Sequence, residues 1–240
     1  MILNNKTKRI IVYIVGLFIL ALGLTLNTKA SLGVSPIISV PYSISQITGL
    51  NFGDLTFIEY ALFVFVEIMI HLSEKNKKKI VADLLQLPLS LVFTRLLNIF
   101  SACIPTSSIF LVQLLILVLA IICTGIGAAM SLSMQLVPNP GDGIVQALAG
   151  KFNKSVGLTK NMFDCVSVCI TLCIGLIFAH TILGIGIGTV IAVLGVGRVI
   201  ALFHHVFESQ IIELVQEESK RQVICWIENH IKKIDNYIEN

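Results

Sequence analysis

Taken as a pattern of apolar and polar positions, the chain is a series of long apolar runs separated by short polar breaks. The runs cover about residues 10–26, 55–70, 84–100, 109–130, 162–179 and 182–203. A helix rises ~1.5 Å per residue, so each run has the length needed to cross a hydrocarbon layer of ~30 Å. The pattern predicts six membrane-crossing α-helices; a transmembrane barrel would show short segments of alternating hydrophobicity instead. Two of the breaks are too long and too apolar to be simple turns. They contain "LGVSP" at 32–36 and "LVPNPGDG" at 136–143.

After each proline comes an apolar stretch too short to cross, "IISVPYSISQIT" in one break and "GIVQALAGKFNK" in the other. Asn139-Pro140-Gly141-Asp142 has the grammar of a helix start: an N-cap residue, proline in the first turn and an acid near the positive end of the helix dipole. Ser35-Pro36 repeats that grammar. Each break therefore predicts a short helix, either re-entrant into the protein or lying on the membrane surface. Free N–H groups at a re-entrant start suit an anion or a polar ligand.

Composition removes the soluble alternative. Of 240 residues, 55% are hydrophobic and only 13% charged, with a mean hydropathy of +0.90; a soluble domain needs far more polar surface. Orientation follows from the lysines and arginines in the loops. Lys6, Lys8 and Arg9 precede the first run, Lys75 and Lys77 to Lys79 separate the second and third, and Lys151, Lys154 and Lys160 separate the fourth and fifth. The connections at 30–53, 101–108 and 179–184 carry no Lys, Arg, Asp or Glu. These facts predict a multi-pass protein of the cell membrane with both termini in the cytoplasm. The first run is kept as a mature span rather than a cleaved leader. The six cysteines lie mostly in apolar runs and predict no disulfide framework.

A shift of 104 positions places Gly23 on Gly127, Leu32 on Leu136, Pro36 on Pro140 and Gly53 on Gly157, and a shift of 103 places Arg95 on Arg198. Each half, about 10–103 and 109–207, then holds three spans and one interrupted segment. An odd number of spans forces the second half to enter the membrane inverted, the plan of many transporters and channels. "LNTKASLGVSP", "GLNFG", "LVPNPGDG" and "LGIGIGTVIAVLGVGRVIALF" resemble the motifs of the YczE/YyaS/YitT family of bacterial multi-pass membrane proteins. The resemblance covers about residues 10–207 and implies the fold more than an activity. In that family a Pro-x-Asp pattern often recurs in both halves; Pro140-Gly141-Asp142 fits it, whereas the first half has Pro36-Ile37-Ile38.

Charges inside spans are costly and are usually paired or functional. Glu59 and Arg95 count to the outer third of their spans, Asp164 and Arg198 to the inner third. They are expected as two pairs, Glu59–Arg95 and Asp164–Arg198, either holding helices together or forming a gate or an ion-coupled pair. Glu67 and Asp83 count to the cytoplasmic boundary and are expected to be interfacial. Cys165, Cys169 and Cys173 share one helical face, read as packing. "GIGIGT" at 184–189 lacks the Gly-Lys-Ser/Thr ending of a phosphate loop and is read as the opening of the sixth span, in close helix contact.

Beyond residue 207 the character changes: 208–240 holds seven acids against four bases. Isoleucines at 224, 227, 231, 234 and 238 form a narrow stripe, predicting a cytoplasmic amphipathic helix that packs on the membrane domain, self-associates or binds a partner. The expected architecture is thus all-α: a membrane domain at 1–207 and a helical tail at 208–240. Asn27, Ser35, Pro36, Asn139, Pro140, Asp142 and Thr189 are the candidate lining of a central cavity. The expected function is movement of a small polar or anionic solute, or an ion; the alternative is a scaffold or sensor acting through the tail. No nucleophile–base set, metal site or cofactor motif is read, and nothing is basic enough for nucleic acid.

Overall fold

A computed structural model describes residues 5–207 and 209–211. The chain is all-α, and no strand occurs among the described residues. The order is α1 (Asn5–Lys29), a 3-10 turn (Pro36–Ile38) leading into α2 (Ser39–Thr48), α3 (Phe52–Ser73), α4 (Lys77–Cys103), α5 (Phe110–Ser133), α6 (Pro140–Lys151) and α7 (Val156–Ala179), then α8 (Ile187–Phe207). Six of these, all but α2 and α6, are long and apolar enough to cross a membrane. The protein is an integral, multi-pass membrane protein by this measure. The predicted tail helix at 208–240 lies outside the described residues apart from 209–211.

The helices are inside-out relative to those of a soluble protein. On α3 the buried residues are Gly53, Thr56, Tyr60, Val64, Glu67 and His71, spaced at three and four so that they share one face. The opposite face exposes Ile58, Leu62, Phe65, Val66, Met69 and Leu72. α4 follows the same plan, burying Asp83, Gln86, Ser90 and Thr94 while Val81, Leu84, Leu85, Val92 and Ile99 face outward. Apolar solvent outside and polar groups inside is the arrangement a bilayer selects.

Helix ends are set locally. The side chains of Asn51, Asn76 and Ser155 accept from the N–H three residues on, capping α3, α4 and α7. Gly49 ends α2 in the left-handed region, with φ 72°, where glycine carries no Cβ penalty.

α1 and α5 run antiparallel along a close seam. Arg9 donates to the carbonyl of Met134 and Tyr13 to that of Val137 at one end, and Gly23 lies against Thr124 at the other. At Gly127 a Cβ would sit 2.7 Å from the Gly16 carbonyl oxygen, so only glycine permits this approach. α4 packs on α1, and α8 packs on α5 through Gly125 against Val199 and Gly195 against Ile121.

The sixth span begins later than the sequence predicts. Residues 182–186 are irregular and lace to the 31–34 segment, with Val34 N–H donating to Gly184 O at 2.8 Å and Gly188 N–H to Leu32 O at 2.7 Å. The glycines of "GIGIGT" therefore allow two backbones to touch before the helix opens, a correction to the expected helix-to-helix contact.

Candidate functional site

The two short helices lie deep in the bundle. α6 runs alongside the second half of α3: the Asn139 amide donates to the Tyr60 hydroxyl at 3.2 Å, Gly143 abuts Glu67, and the Lys151 ammonium reaches the Ser73 hydroxyl at 2.9 Å. Tyr60 to Ser73 spans ~20 Å of helix, and α6 itself spans ~18 Å, so the two keep level throughout. α2 runs alongside the second half of α7. Its Ser39 hydroxyl bonds that of Thr171 at 2.7 Å, and Tyr42 reaches Gly184 beyond the end of α7. Each short helix thus packs on the long helix of the other half, α2 on α7 and α6 on α3.

Their starts meet. Pro36, Ile37 and Ile38 are buried, as are Pro140 and Gly141, and the Ile37 side chain fills the space where Gly141 would carry a Cβ. Their far ends diverge, because α2 ends beside the start of α3 while α6 ends beside its finish. These ends of the bundle are called the Gly49 end and the Lys75 end below.

Of the seven candidate lining residues, four hold the crossing together. Asn27 is buried, and its side-chain oxygen accepts from the Ser35 N–H, pinning the chain just before Pro36. Asn139 starts α6, its carbonyl accepting from Asp142 N–H at 2.8 Å and Gly143 N–H at 2.9 Å. Pro140 supplies the first turn. Thr189 lies away from the crossing: it is buried at the start of α8, where its hydroxyl accepts from Gly186 N–H at 3.2 Å. Asp142 is half-buried in the first turn of α6, which also packs on α7. Pro36 lines a cavity of about 540 Å³ with Asn161, Asp164, Cys165 and Arg198.

Neither expected charge pair forms. Arg95 pairs with Asp54 at 2.8 Å, with both side chains about half exposed. Asp54 leads α3 at the level Arg95 reaches from α4, whereas the Glu59 side chain points into an apolar cavity of about 280 Å³ toward Phe163 and Ser167. Its Oε2 is buried without a hydrogen-bond partner. Asp164 bonds Lys160 one turn earlier on its own helix at 2.9 Å, a nearer cation than Arg198. Arg198 is exposed and shares the Asp164 cavity without an ion pair. Cys165, Cys169 and Cys173 are exposed rather than packed.

The largest departure is at Glu67 and Asp83, the two acids expected at the interface, which are joined by His71 and Gln86, residues the sequence reading did not single out. Glu67, His71, Asp83 and Gln86 are all at least nine-tenths buried. His71 Nδ1 and Asp83 Oδ2 lie 2.6 Å apart, and the Gln86 amide donates to Glu67 Oε2 at 2.7 Å. Glu67, His71, Asp83 and Lys79 line a cavity of about 290 Å³ at the Lys75 end, floored by Gly143 of α6. At the Gly49 end a second cavity of about 270 Å³ is lined by 31–34, Tyr42 and 184–186. Among the described residues, no three His, Cys, Asp or Glu are placed to share a metal ion.

The sequence pattern of one known family matches residues 7–205, from the start of α1 to near the end of α8. The chain belongs to the family of unknown function DUF6198. The matched DUF6198 stretch contains both short helices and every candidate site residue, and stops before the tail. No curated protein and no solved structure matches the chain.

Proposed function

We propose that the protein is a transporter or channel of the cell membrane that passes a small polar or anionic solute, or an ion, through the crossing of α2 and α6. The observation that carries this reading is the meeting of two half-length helices, Ile37 against Gly141, with a cavity toward each end of the bundle. A half-helix that starts at mid-depth leaves its first N–H groups without helical partners, and in a bilayer such backbone is tolerated where protein or a cavity surrounds it. The exchanged packing, α2 on α7 and α6 on α3, supports an inverted repeat, with both termini in the cytoplasm as the loop lysines suggest. The Pro-Gly-Asp motif supports kinship with the YczE/YyaS/YitT family. The reading is not enzymatic.

Two measurements test it. In a background without cysteine, Leu50→Cys and Gly150→Cys sit at exposed positions near the far ends of α2 and α6, and impermeant thiol reagents should label them from opposite sides of the membrane. Labelling from one side would refute the opposed half-helices. In reconstituted vesicles, wild type should move members of a broad metabolite and ion panel that Asp142→Asn moves poorly. Traffic equal to that of protein-free vesicles would count against transport.

A further inference from the structure

We infer that Glu67 is a proton-binding site entered from the Lys75 end of the bundle, its proton closing a reciprocal acid–amide pair with Gln86 beside Gly143. Glu67 is 1% exposed and Gln86 1%. The Gln86 amide already donates to Glu67 Oε2, which leaves Glu67 Oε1 and Gln86 Oε1 buried without partners. Both oxygens lie beside α6: a Cβ on Gly143 would lie 2.7 Å from Glu67 Oε2, 2.9 Å from Glu67 Oε1 and 3.0 Å from Gln86 Oε1. Two unpartnered acceptors beside one glycine, on side chains already joined by one hydrogen bond, lack one donor. A proton on Glu67 supplies it, and a carboxylic acid and a primary amide can then exchange two hydrogen bonds, leaving neither oxygen orphaned.

The neighbours favour the same occupant. Glu67 and Asp83 are both buried and line the same cavity. Two adjoining carboxylates away from water do not both stay ionised without a bound cation. Among the described residues, the titratable groups lining the cavity are Glu67 and His71 from α3, and Lys79 and Asp83 from α4. α6 adds Gln146 and the Gly143 backbone, and Pro138 precedes it. The chain Lys79 rim, His71–Asp83, Glu67 leads from the exposed end inward, ~9 Å below the end of α3. Binding is proton uptake alone: a proton leaves hydronium or buffer in the cavity and bonds to the Glu67 carboxylate. Joined to transport it would couple solute movement to protons, a consequence that rests on the proposed function; the site itself does not.

The test is infrared difference spectroscopy of the full-length protein in lipid as pH is lowered. A protonated-carboxyl band should appear, shift when glutamate carboxyls carry ¹³C, and vanish in Glu67→Gln together with one proton of uptake per chain. A band that persists in Glu67→Gln, or ignores the label, would overturn the assignment. If Glu67→Gln does not fold, Glu59→Gln decides: the labelled band should persist there, and its loss would overturn the assignment. If sodium or potassium removes the band at fixed pH, a metal cation is the occupant and the proton assignment fails.

Discussion

Replacing Gly127 by alanine tests the packing that brings the two halves together. The added Cβ would meet the Gly16 carbonyl oxygen at 2.7 Å and Leu20 Cα at 2.7 Å, both backbone atoms of α1, whereas ordinary contact begins at 3.4 Å. The Leu20 backbone nitrogen lies closer still and no side chain can swing aside, so α1 and α5 must part by roughly 1 Å there. A gap of that size forfeits about half of each dispersion contact, and some 40 atom pairs at ~0.1–0.2 kcal/mol are at stake, so the loss is ~2–4 kcal/mol. Alanine returns about 1 kcal/mol of helix propensity. The net expectation is a destabilisation of ~1–3 kcal/mol, or about fivefold to a hundredfold in the unfolding equilibrium.

The control is Gly197→Ala on α8, where nothing lies within 4 Å of the added Cβ. There the propensity gain stands alone, and stability should rise by up to ~1 kcal/mol. Reversible unfolding in mixed micelles, followed by far-ultraviolet circular dichroism, reads both. The same substitution should thus act with opposite sign at the two sites. If Gly127→Ala is as stable as Gly197→Ala, the close α1–α5 seam is wrong.

Three further outcomes can be checked with the same preparations. Tyr60→Phe should cost ~1–3 kcal/mol, because Tyr60 is fully buried and the Asn139 amide loses its partner; a double-mutant cycle with Asn139→Ala should return a positive coupling, and strict additivity would break the link between α3 and the start of α6. Arg95→Ala should change stability by no more than ~1 kcal/mol, since its pair with Asp54 is about half exposed; exchanging the charges of Asp54 and Arg95 should be tolerated, and rescue by a Glu59–Arg95 exchange instead would restore the expected pair. Removing 208–240 should leave vesicle flux intact, whereas loss of flux with the membrane domain still folded would favour a role carried by the tail.

The architecture was legible where backbone geometry is written in residue type. The repeat alignment placed Gly23 on Gly127, and both lie in the α1–α5 seam at distances that leave no room for a Cβ. It placed Pro36 on Pro140, and both open the short helices. Gly53 on Gly157 shows the limit: Gly53 N–H donates to the Asn98 side chain at 3.1 Å, whereas a Cβ on Gly157 would meet nothing within 4 Å. The charge pairs misread because depth was counted along each helix without its rotation. Arg95 and Glu59 match in depth, yet Asp54 presents the nearer oxygen to the guanidinium.

The Glu67 cluster carried a signal that depth counting hid. Glu67 and His71 are four apart, Asp83 and Gln86 three apart, and the turn at 74–76 folds α3 back on α4 so that 71 meets 83 and 67 meets 86. A polar stripe continuing the buried face of Tyr60 and Val64 is the inward side of a membrane helix, because lipid leaves it nowhere else to turn. Such a stripe beside a connecting loop reads as interfacial only while the third wall is missing. Here that wall is α6, which descends past Gly143 and seals the α3–α4 hairpin from lipid. The half-helix therefore has two consequences. Its start meets Ile37 at the crossing, and its flank closes an ordinary helical hairpin into a cavity whose buried acid, held by the Gln86 amide, lies against a glycine.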